Sequence, residues 1–319
     1  MREIGIILPM LISFAVSVVM APLLIPVLIK LKAGQTVRDD GPKTHLNKTG
    51  TPTMGGILIL VSVTVTSLMY ANEYRRMIPV LFLTLGFGMI GFLDDFIKVI
   101  LKRSMGLSPL QKLTLQILVT ALFAYYMVNM SGISLAMRIP FLKGQYIDFG
   151  VFSIPMLFLV VIGTANGTNF TDGLDGLLGS VTVLTSTFFS VAAALTMMGI
   201  SPITCSVAGA LLGFLLFNVH PASVFMGDTG SLALGGFLSA SAYMMQMPLY
   251  LPIVGLVYVV EVLSVIIQVV YFKISGGRRL LKMAPLHHHF ELCGFSEVSI
   301  VAVFSVVTAI LCMIALFDL

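Results

Sequence analysis

The sequence has few charged residues and no tryptophan, and its three scattered cysteines do not indicate a disulfide framework. Charged side chains make up 10% of the 319 residues, whereas soluble domains carry about 25%. This shortage excludes an ordinary soluble domain. The net charge of +4 says little about nucleic acid in such a chain, and we expect no nucleic-acid partner. No internal repeat is visible, which weakens the case for a transporter built from repeated halves.

Apolar residues are what the sequence has in excess, at 58% of the chain. A membrane-spanning helix needs about 20 predominantly apolar residues. We therefore predict an all-α, polytopic integral membrane protein with a single domain over residues 1–319. The ten predicted spans are Ile4–Ile29, Met54–Tyr70, Met77–Ile97, Leu113–Met130, Val151–Ala165, Leu177–Met198, Ile203–Phe217, Leu232–Met245, Leu249–Phe272 and Val298–Phe317.

The lysines and arginines predict how these spans are oriented. Thirteen of them fall in the loops after predicted spans one, three and nine, and five fall on the opposite side. Cytoplasmic loops of membrane proteins carry the excess of basic residues. The three basic loops are therefore predicted to be cytoplasmic and both termini to lie outside. An odd number of spans would break this alternation.

Polar residues concentrate in five stretches that this topology places on the cytoplasmic side. The most polar is GTANGTNFTDGLDG, residues 163–176. If Thr171 begins a helix, Asp172 and Asp175 share a face near its N-terminus. Ionisable groups near lipid are costly, so they usually mark a functional site. The alternative is a polar turn whose Asp and Asn side chains cap the next helix.

Two adjacent carboxylates, Asp94 and Asp95, lie at the end of the third predicted span. They repel each other unless a cation lies beside them, and Mg²⁺ is the usual cation where a phosphate is also bound. Lys98 follows within one helical turn, so ordinary pairing along the helix is the alternative. Lys112, at the start of span four, adds another cation.

Two further stretches enter or join spans. Residues 48–56, KTGTPTMGG, combine Lys48 with small residues that suit phosphate contact at a helix entrance, or else close helix packing. Residues 218–231 join spans seven and eight and contain Asp228 just before a predicted helix start. Asp228 is either a ligand-binding carboxylate or a plain N-cap. Phe225 is either an interfacial anchor or a platform for a base.

The last stretch, residues 275–291, contains three successive histidines in a predicted loop. Zinc sites usually space their ligands more widely, and three adjacent side chains do not all face one ion within regular structure. Contact with phosphate is therefore favoured over zinc. Glu261 and Gln268 lie seven residues apart in span nine and share a face. A carboxylate within a membrane usually points inward to a partner.

Taken together, these stretches resemble the polyprenyl-phosphate N-acetylhexosamine-1-phosphate transferases over essentially the whole chain. The resemblance is carried by Lys48 with TPTMGG at 51–56, FLDD at 92–95, NFTDGLDG at 169–176, FMGDTGS at 225–231 and APLHHHFE at 284–291. The last motif separates the branch that transfers phospho-MurNAc-pentapeptide from relatives that transfer unsubstituted GlcNAc-1-phosphate. Phe170 is a mild departure, because this position is often Leu in the family.

The resemblance implies transfer of phospho-MurNAc-pentapeptide from UDP-MurNAc-pentapeptide to undecaprenyl phosphate, giving lipid I and UMP in peptidoglycan synthesis. It further implies Mg²⁺, a bacterial inner (plasma) membrane location with a cytoplasmic active site, a homodimer, and a ninth span that breaks and bends outward beside a groove for the lipid tail. A sister transferase using UDP-GlcNAc is one alternative. A permease for a phosphorylated solute is another, although it would place charged groups near mid-membrane.

Individual residues also receive roles from the resemblance. Asp228 ligates Mg²⁺ with Asp94 and Asp95 beside it, and His288 completes the implied catalytic set. Asp175 and Phe225 hold the uracil. The remaining implied contacts to the nucleotide-sugar are Lys48, Thr53, Lys98, Lys112, Asn169, Asp172, Asn218, Gln268, His287, His288 and His289.

The chemistry leaves the nucleophile open. Phosphoryl transfer depends mostly on positioning and charge neutralisation. The nucleophile is either the lipid phosphate itself or an aspartate that acts first. We favour direct attack on the β-phosphate, with Asp94 or Asp95 as base, because a phosphate monoester dianion is already nucleophilic.

Overall fold

The computed structural model describes residues 4–31, 50–101 and 105–319, which form a bundle of α-helices with one small β-hairpin. Lys48 lies outside the described residues. The helices are α1 (Ile4–Lys30), α2 (Gly56–Tyr70), α3 (Ile78–Leu101), α4 (Pro109–Asn129), α5 (Ser153–Thr171), α6 (Leu177–Leu195), α7 (Ser201–Asn218), α8 (Gly227–Met244), α9 (Leu251–Val254), α10 (Leu256–Ile274), α11 (Leu286–Leu292) and α12 (Glu297–Leu316). The strands are β1 (Met137–Arg138) and β2 (Tyr146–Ile147).

Seven helices within the described ranges are long and apolar enough to cross a membrane, namely α1, α3, α5, α6, α7, α10 and α12. The predicted all-α polytopic membrane protein is therefore confirmed. The other three predicted spans coincide with α2, α4 and α8. Helix α2 has only 15 residues, α4 starts with polar residues, and α8 is rich in glycine and serine. Ten helices thus match the ten predicted spans in position, and the number that cross stays a prediction.

The connection between α5 and α6 differs from the prediction. Helix α5 continues to Thr171, whose hydroxyl donates back to the Gly167 carbonyl at 2.7 Å. Asp172 follows as the C-cap, and the chain turns until Gly176, whose φ of 77° is left-handed. The prediction that Thr171 begins a helix is wrong, because the glycines of DGLDG favour a turn. We call residues 172–176 the aspartate turn.

Helix α8 lies at the centre of the bundle, where every residue from 229 to 244 is buried. Its small residues let neighbouring helices approach closely. A Cβ added at Gly235 would lie 2.3 Å from the Ala165 Cα of α5, and one at Gly236 would lie 2.8 Å from the Leu83 carbonyl oxygen of α3. This packing brings the C-terminal ends of α3 and α5 beside the N-terminus of α8, where most predicted site residues lie.

The opposite end of the bundle carries a hairpin, which turns around Lys143-Gly144 and pairs β1 with β2 in antiparallel register. The Arg138 guanidinium donates to the Asp318 carbonyl at 2.7 Å, and the Phe141 N–H donates to the Asp318 carboxylate at 2.8 Å. The Tyr250 hydroxyl donates to the same carboxylate. These contacts fix the hairpin to the end of the chain, far from the polar stretches.

The predicted ninth span is interrupted at Gly255, which separates the short α9 from α10. A Cβ at this position would lie 2.8 Å from the Leu251 carbonyl oxygen, so the close turn suits glycine. Helix α10 then exposes a row of apolar side chains that includes Ile266, Val270 and Ile274. The implied break is present. The outward bend, the lipid groove and the homodimer stay predictions.

Candidate active site

Three carboxylates meet where α3 ends against the start of α8. Oxygen atoms of Asp94, Asp95 and Asp228 all lie within 4.8 Å of one another. Gly91, one turn earlier in α3, permits this approach, because a Cβ there would lie 2.0 Å from the Asp228 carbonyl oxygen. We call these three residues the carboxylate cluster. The cluster brings the adjacent aspartates Asp94 and Asp95 beside Asp228, as the resemblance implied.

Asp95 uses both of its carboxylate oxygens to hold the first turn of α8. It accepts the N–H of Asp228 at 3.2 Å, the N–H of Thr229 at 2.9 Å and the Thr229 hydroxyl at 2.7 Å. These N–H groups have no acceptor within their own helix, and a negative charge is favourable at a helix N-terminus. Asp95 is 2% exposed. Its contacts therefore fix the backbone of Asp228.

Asp94 is equally buried and lies between Asp228, Lys98 and the segment before α4. One oxygen accepts the Leu107 N–H at 2.8 Å, and the other lies 2.5 Å from Lys98 Nζ. A Cβ at Gly106 would lie 2.6 Å from the same carboxylate. Asp94 thus joins the end of α3 to the segment before α4. Helix α4 in turn carries Lys112 into the site.

Asp228 is the most accessible member, with 19% of its side chain exposed. Lys98 Nζ lies 3.2 Å and Lys112 Nζ 2.8 Å from its Oδ2, while Asn169 donates to its Oδ1 at 2.9 Å. Asn169 also donates to Ser231 at 2.8 Å. Helix α8 begins at Gly227 with Met226 as its N-cap, so Asp228 lies within the first turn and the plain N-cap alternative is wrong. Lys98 thus forms ion pairs both with the aspartates of its own helix α3 and with Asp228 of α8.

The aspartate turn reaches the cluster through Asp172, which accepts the Gly227 N–H. Burial, followed by the negative charges of Asp228 and Asp95, raises the pKa of Asp172 to about 8.

At the other end of the turn, Asp175 joins a second group of ligand-type side chains. Its Oδ2 lies 3.1 Å from His220 Nδ1 and accepts the Ala222 N–H at 3.1 Å. His220 Nδ1 also lies 3.8 Å from Glu297 at the start of α12. The sequence reasoning missed His220 and Glu297. The Asn-Val-His-Pro segment was visible as polar, whereas nothing in the sequence connected it to a residue about 80 positions later.

Asn218 holds the aspartate turn and the segment before α8 together. Its Oδ1 accepts the Gly176 N–H at 3.1 Å, and its amide donates to the Val224 carbonyl at 2.9 Å. The side chain is buried, at 4% exposure. Its polar atoms therefore serve the architecture of the site in this structure, and direct contact with substrate stays a prediction.

The segment that enters α2 pairs with the segment that enters α8. The Phe225 N–H donates to the Pro52 carbonyl at 2.8 Å, and the Gly55 N–H donates to the Phe225 carbonyl at 2.8 Å. Thr53 lies in the same segment as Pro52 and Gly55, and its Oγ1 lies 2.7 Å from the position that a Cβ of Gly227 would occupy. The polar segments around Thr53 and Phe225 thus form one surface, on which Phe225 is partly exposed.

The histidine run lies on the short helix α11, so its prediction as a loop is wrong. The His287 and His288 rings are neighbours, with centroids 4.2 Å apart, whereas the three side chains have different polar partners. His287 is buried and lies 3.2 Å from Glu261, His288 Nδ1 lies 2.7 Å from Glu291, and His289 Nδ1 accepts the Lys282 N–H at 3.1 Å. Helix formation over LHHHFEL follows from the absence of glycine between Pro285 and Gly294.

Gln268 is occupied by the backbone of the segment that leads to α11. Its Oε1 accepts the N–H groups of Leu280 at 3.2 Å and Leu281 at 2.9 Å, and its amide donates to the Leu281 carbonyl at 3.2 Å. The predicted contact with substrate is not tested by these bonds. They show that Gln268 holds the backbone of the segment before α11, which its spacing from Glu261 did not predict.

Known protein families and curated relatives match this chain. The model of glycosyl transferase family 4 matches residues 77–246, and the first signature of phospho-N-acetylmuramoyl-pentapeptide-transferase matches residues 48–60. The chain is similar to the phospho-N-acetylmuramoyl-pentapeptide-transferase of Acetivibrio thermocellus, at 51% identity over 97% of this chain and 94% of the relative. Proteins of the same name from Clostridium botulinum and Halalkalibacterium halodurans are 49% and 45% identical, over 96% and 99% of this chain and 94% and 98% of theirs.

Proposed function

The chain belongs to the phospho-N-acetylmuramoyl-pentapeptide-transferase family, and we propose that it transfers phospho-MurNAc-pentapeptide from UDP-MurNAc-pentapeptide to undecaprenyl phosphate, giving lipid I and UMP. The observation that carries the proposal is the carboxylate cluster, which gathers three acidic and two basic side chains at one end of a membrane bundle. Such a site suits a lipid phosphate at the membrane surface that meets a water-soluble diphosphate.

We place Mg²⁺ at Asp228, with Asp94 beside it. The donor set fits, because the cluster offers several carboxylate oxygens within 4.8 Å of one another and Mg²⁺ prefers oxygen ligands. When bound, the ion would neutralise charge on the diphosphate and on the departing UMP. Asp95 supports this arrangement indirectly, since its oxygens already hold the backbone of Asp228 and Thr229.

Lys98 and Lys112 are proposed to bind the diphosphate. Both ammonium groups lie within 3.2 Å of Asp228 Oδ2, at the accessible edge of the cluster. Asn169 orients Asp228 by donating to its other oxygen. A lysine pair fixed by three carboxylates is already positioned before the substrate arrives, which is the form of electrostatic stabilisation that phosphoryl transfer needs.

The uridine is proposed to lie between the aspartate turn and the segment around Phe225. Asp175 and the partly exposed Phe225 ring hold the base, and Asn218 sets their separation because it bonds both segments. The remaining proposed contacts or supports of the nucleotide-sugar donor are Thr53, Asp172, His288, His289 and Gln268. Lys48, outside the described residues, is proposed to meet a phosphate at the entrance of α2.

The membrane arrangement is proposed from charge. The basic residues of the loops after α1, α3 and α10 support a cytoplasmic location of the carboxylate cluster at the bacterial inner membrane, with both termini outside. A cytoplasmic site agrees with a soluble nucleotide-sugar as donor. A homodimer is part of the same proposal, and it is inferred from the family alone.

We favour direct attack by the lipid phosphate over a covalent aspartyl intermediate. Both oxygens of Asp95 accept hydrogen bonds from α8, and Asp94 is bound to the Leu107 N–H and to Lys98. Carboxylates held in this way are poor nucleophiles. Asp94, which faces both Asp228 and Lys98, is the better placed of the two to accept a proton from a lipid phosphate monoanion.

This mechanism predicts that no isotope exchange occurs between labelled UMP and UDP-MurNAc-pentapeptide when the lipid acceptor is absent. Without an enzyme-bound sugar phosphate, there is nothing to recapture UMP. The measurement uses protein that has been stripped of co-purified carrier lipid, and added undecaprenyl phosphate restores exchange as the positive control. Lipid-independent exchange that disappears in Asp94→Asn or Asp95→Asn would instead identify an aspartyl nucleophile.

The proposed function itself is tested by UMP release from detergent-solubilised protein. We expect release with UDP-MurNAc-pentapeptide and undecaprenyl phosphate together, and little with UDP-GlcNAc or without the lipid. Faster turnover of UDP-GlcNAc would assign the chain to the sister transferases. Absence of UMP release from folded protein with every donor would contradict an enzymatic role, since a transferase needs no sealed compartment.

A further inference from the structure

A fully buried carboxylate in α10 is bound to the histidine helix α11. Glu261 is 0% exposed and His287 is 1% exposed. The His287 N–H donates to Glu261 Oε1 at 3.2 Å, and His287 Nδ1 lies 3.2 Å from Glu261 Oε2. Burying a carboxylate in a membrane bundle is costly unless it is paired. Glu261 therefore fixes the backbone of His287 by a hydrogen bond and packs against its ring. Within the described residues, neither Glu261 Oε2 nor His287 Nδ1 has a hydrogen-bond partner.

The opposite edge of the same ring contacts the aspartate turn. A Cβ added at Gly173 would lie 2.1 Å from His287 Nε2 and 2.6 Å from its Cε1. Only a residue without a side chain fits against the imidazole at this position. His287 Nε2 has no hydrogen-bond partner within the described part of the chain, so its contact with the turn is one of close packing.

Gln268 extends this contact along α10. It lies seven residues after Glu261 on the same face and binds the backbone of Leu280 and Leu281. Helix α10 thus holds the segment before α11 at one point and α11 itself at another. The two polar side chains together fix how α11 meets the aspartate turn.

We propose that Glu261 and His287 are positioning residues, which act through Gly173 to hold the aspartate turn in the geometry that binds the nucleotide-sugar donor. This inference rests on the proposed function. His287 is too buried to contact substrate in this structure. A positioning role therefore replaces the direct contact predicted for that residue. Gly173 stands between Asp172 and Asp175, which are the two proposed donor contacts of the turn.

Because the pair supports only the donor side, its loss is expected to affect the two substrates differently. In Glu261→Ala, the KM for UDP-MurNAc-pentapeptide rises by about tenfold to a hundredfold, since a small misplacement of a binding group has effects of this size. The KM for undecaprenyl phosphate stays within about twofold of the original. A residue that merely stabilises the bundle would not separate the two constants.

The experiment compares three variants with one control in UMP release and thermal unfolding. Glu261→Ala removes the acceptor, Glu261→Gln keeps an oxygen for the His287 N–H, and Gly173→Ala disturbs the contact from the other side. Thr308→Ala is the control, because it truncates a buried hydroxyl that bonds only within α12 at 2.8 Å. We expect the donor KM of Glu261→Gln to lie close to that of the original protein. We expect Gly173→Ala to raise the donor KM as Glu261→Ala does.

A double variant, Glu261→Ala with His287→Ala, tests whether the pair acts as a unit. Its donor KM is expected to be no worse than that of the more affected single variant, because coupled residues are not additive. Equal rises in both substrate constants, or a normal donor KM in Gly173→Ala, would overturn the proposal. If the original protein releases no UMP, the proposed function fails instead, and these ratios do not arise.

Discussion

Asp228→Asn removes nearly all transfer activity, by about a thousandfold or more, while the protein stays folded. A metal-bound phosphoryl site supplies several kcal/mol of charge stabilisation, and about 1.4 kcal/mol corresponds to a factor of ten in rate. Asparagine has the same shape and keeps an oxygen to accept from Asn169. It lacks the charge that binds Lys98 and Lys112 at 3.2 and 2.8 Å and that would bind Mg²⁺.

The measurement is UMP release at several Mg²⁺ concentrations, together with thermal unfolding in detergent. Asp148→Asn serves as the matched control, since this exposed aspartate lies beside the hairpin at the opposite end of the bundle and bonds the Gly150 N–H at 2.8 Å. Near-normal activity of Asp228→Asn at limiting Mg²⁺ would remove Asp228 from the metal site.

Gly91→Ala is expected to lower activity by about a hundredfold, because it displaces catalytic groups without replacing one of them. The added Cβ would lie 2.0 Å from the Asp228 carbonyl oxygen, 2.3 Å from its carbonyl carbon and 2.6 Å from the Thr229 nitrogen. All three are backbone atoms of the first turn of α8, so the turn itself must move. Its movement separates Asp228 from Asp94 and Asp95.

Gly86→Ala, five residues earlier in the same helix, is the control for this variant. Its Cβ would meet the Val119 Cγ1 at 2.6 Å, and a side chain has more freedom to adjust than a helix backbone. Both substitutions raise helix propensity to the same extent, so their difference isolates the contact with α8. Equal UMP release from the two variants would show that close packing at Gly91 does not set the site.

Much of the fold was predictable because hydrophobic length is a strong signal in a membrane chain. All ten predicted spans coincide with helices. The boundaries near the site were less predictable. Helix α5 runs past the predicted end at Ala165 to include Asn169, since polar residues that face other protein groups lack the apolar signal of a span.

The acidic residues at the ends of spans were predictable as candidates for a site, because they are costly without a function. The grouping of Asp228 with Asp94 and Asp95 was predicted from the family resemblance. The role of Asp95 was not, since its bonds to Asp228 and Thr229 exist only once α3 packs on α8. His220 and Glu297 were missed for the same reason. Contacts between distant segments depend on tertiary packing, which spacing within one helix does not encode.

We propose that the carboxylate cluster binds one divalent ion, and Mn²⁺ binding measured by electron paramagnetic resonance tests this proposal. Mg²⁺ should compete for the same Mn²⁺. The site around Asp175, His220 and Glu297 is the alternative location, since its ligand atoms also lie within 4.8 Å of one another. Purified protein is expected to bind one Mn²⁺ that is lost in Asp228→Asn and kept in His220→Ala. Binding that is kept in Asp228→Asn and lost in His220→Ala would instead assign the ion to the group around Asp175, and Asp228 would not be a metal ligand.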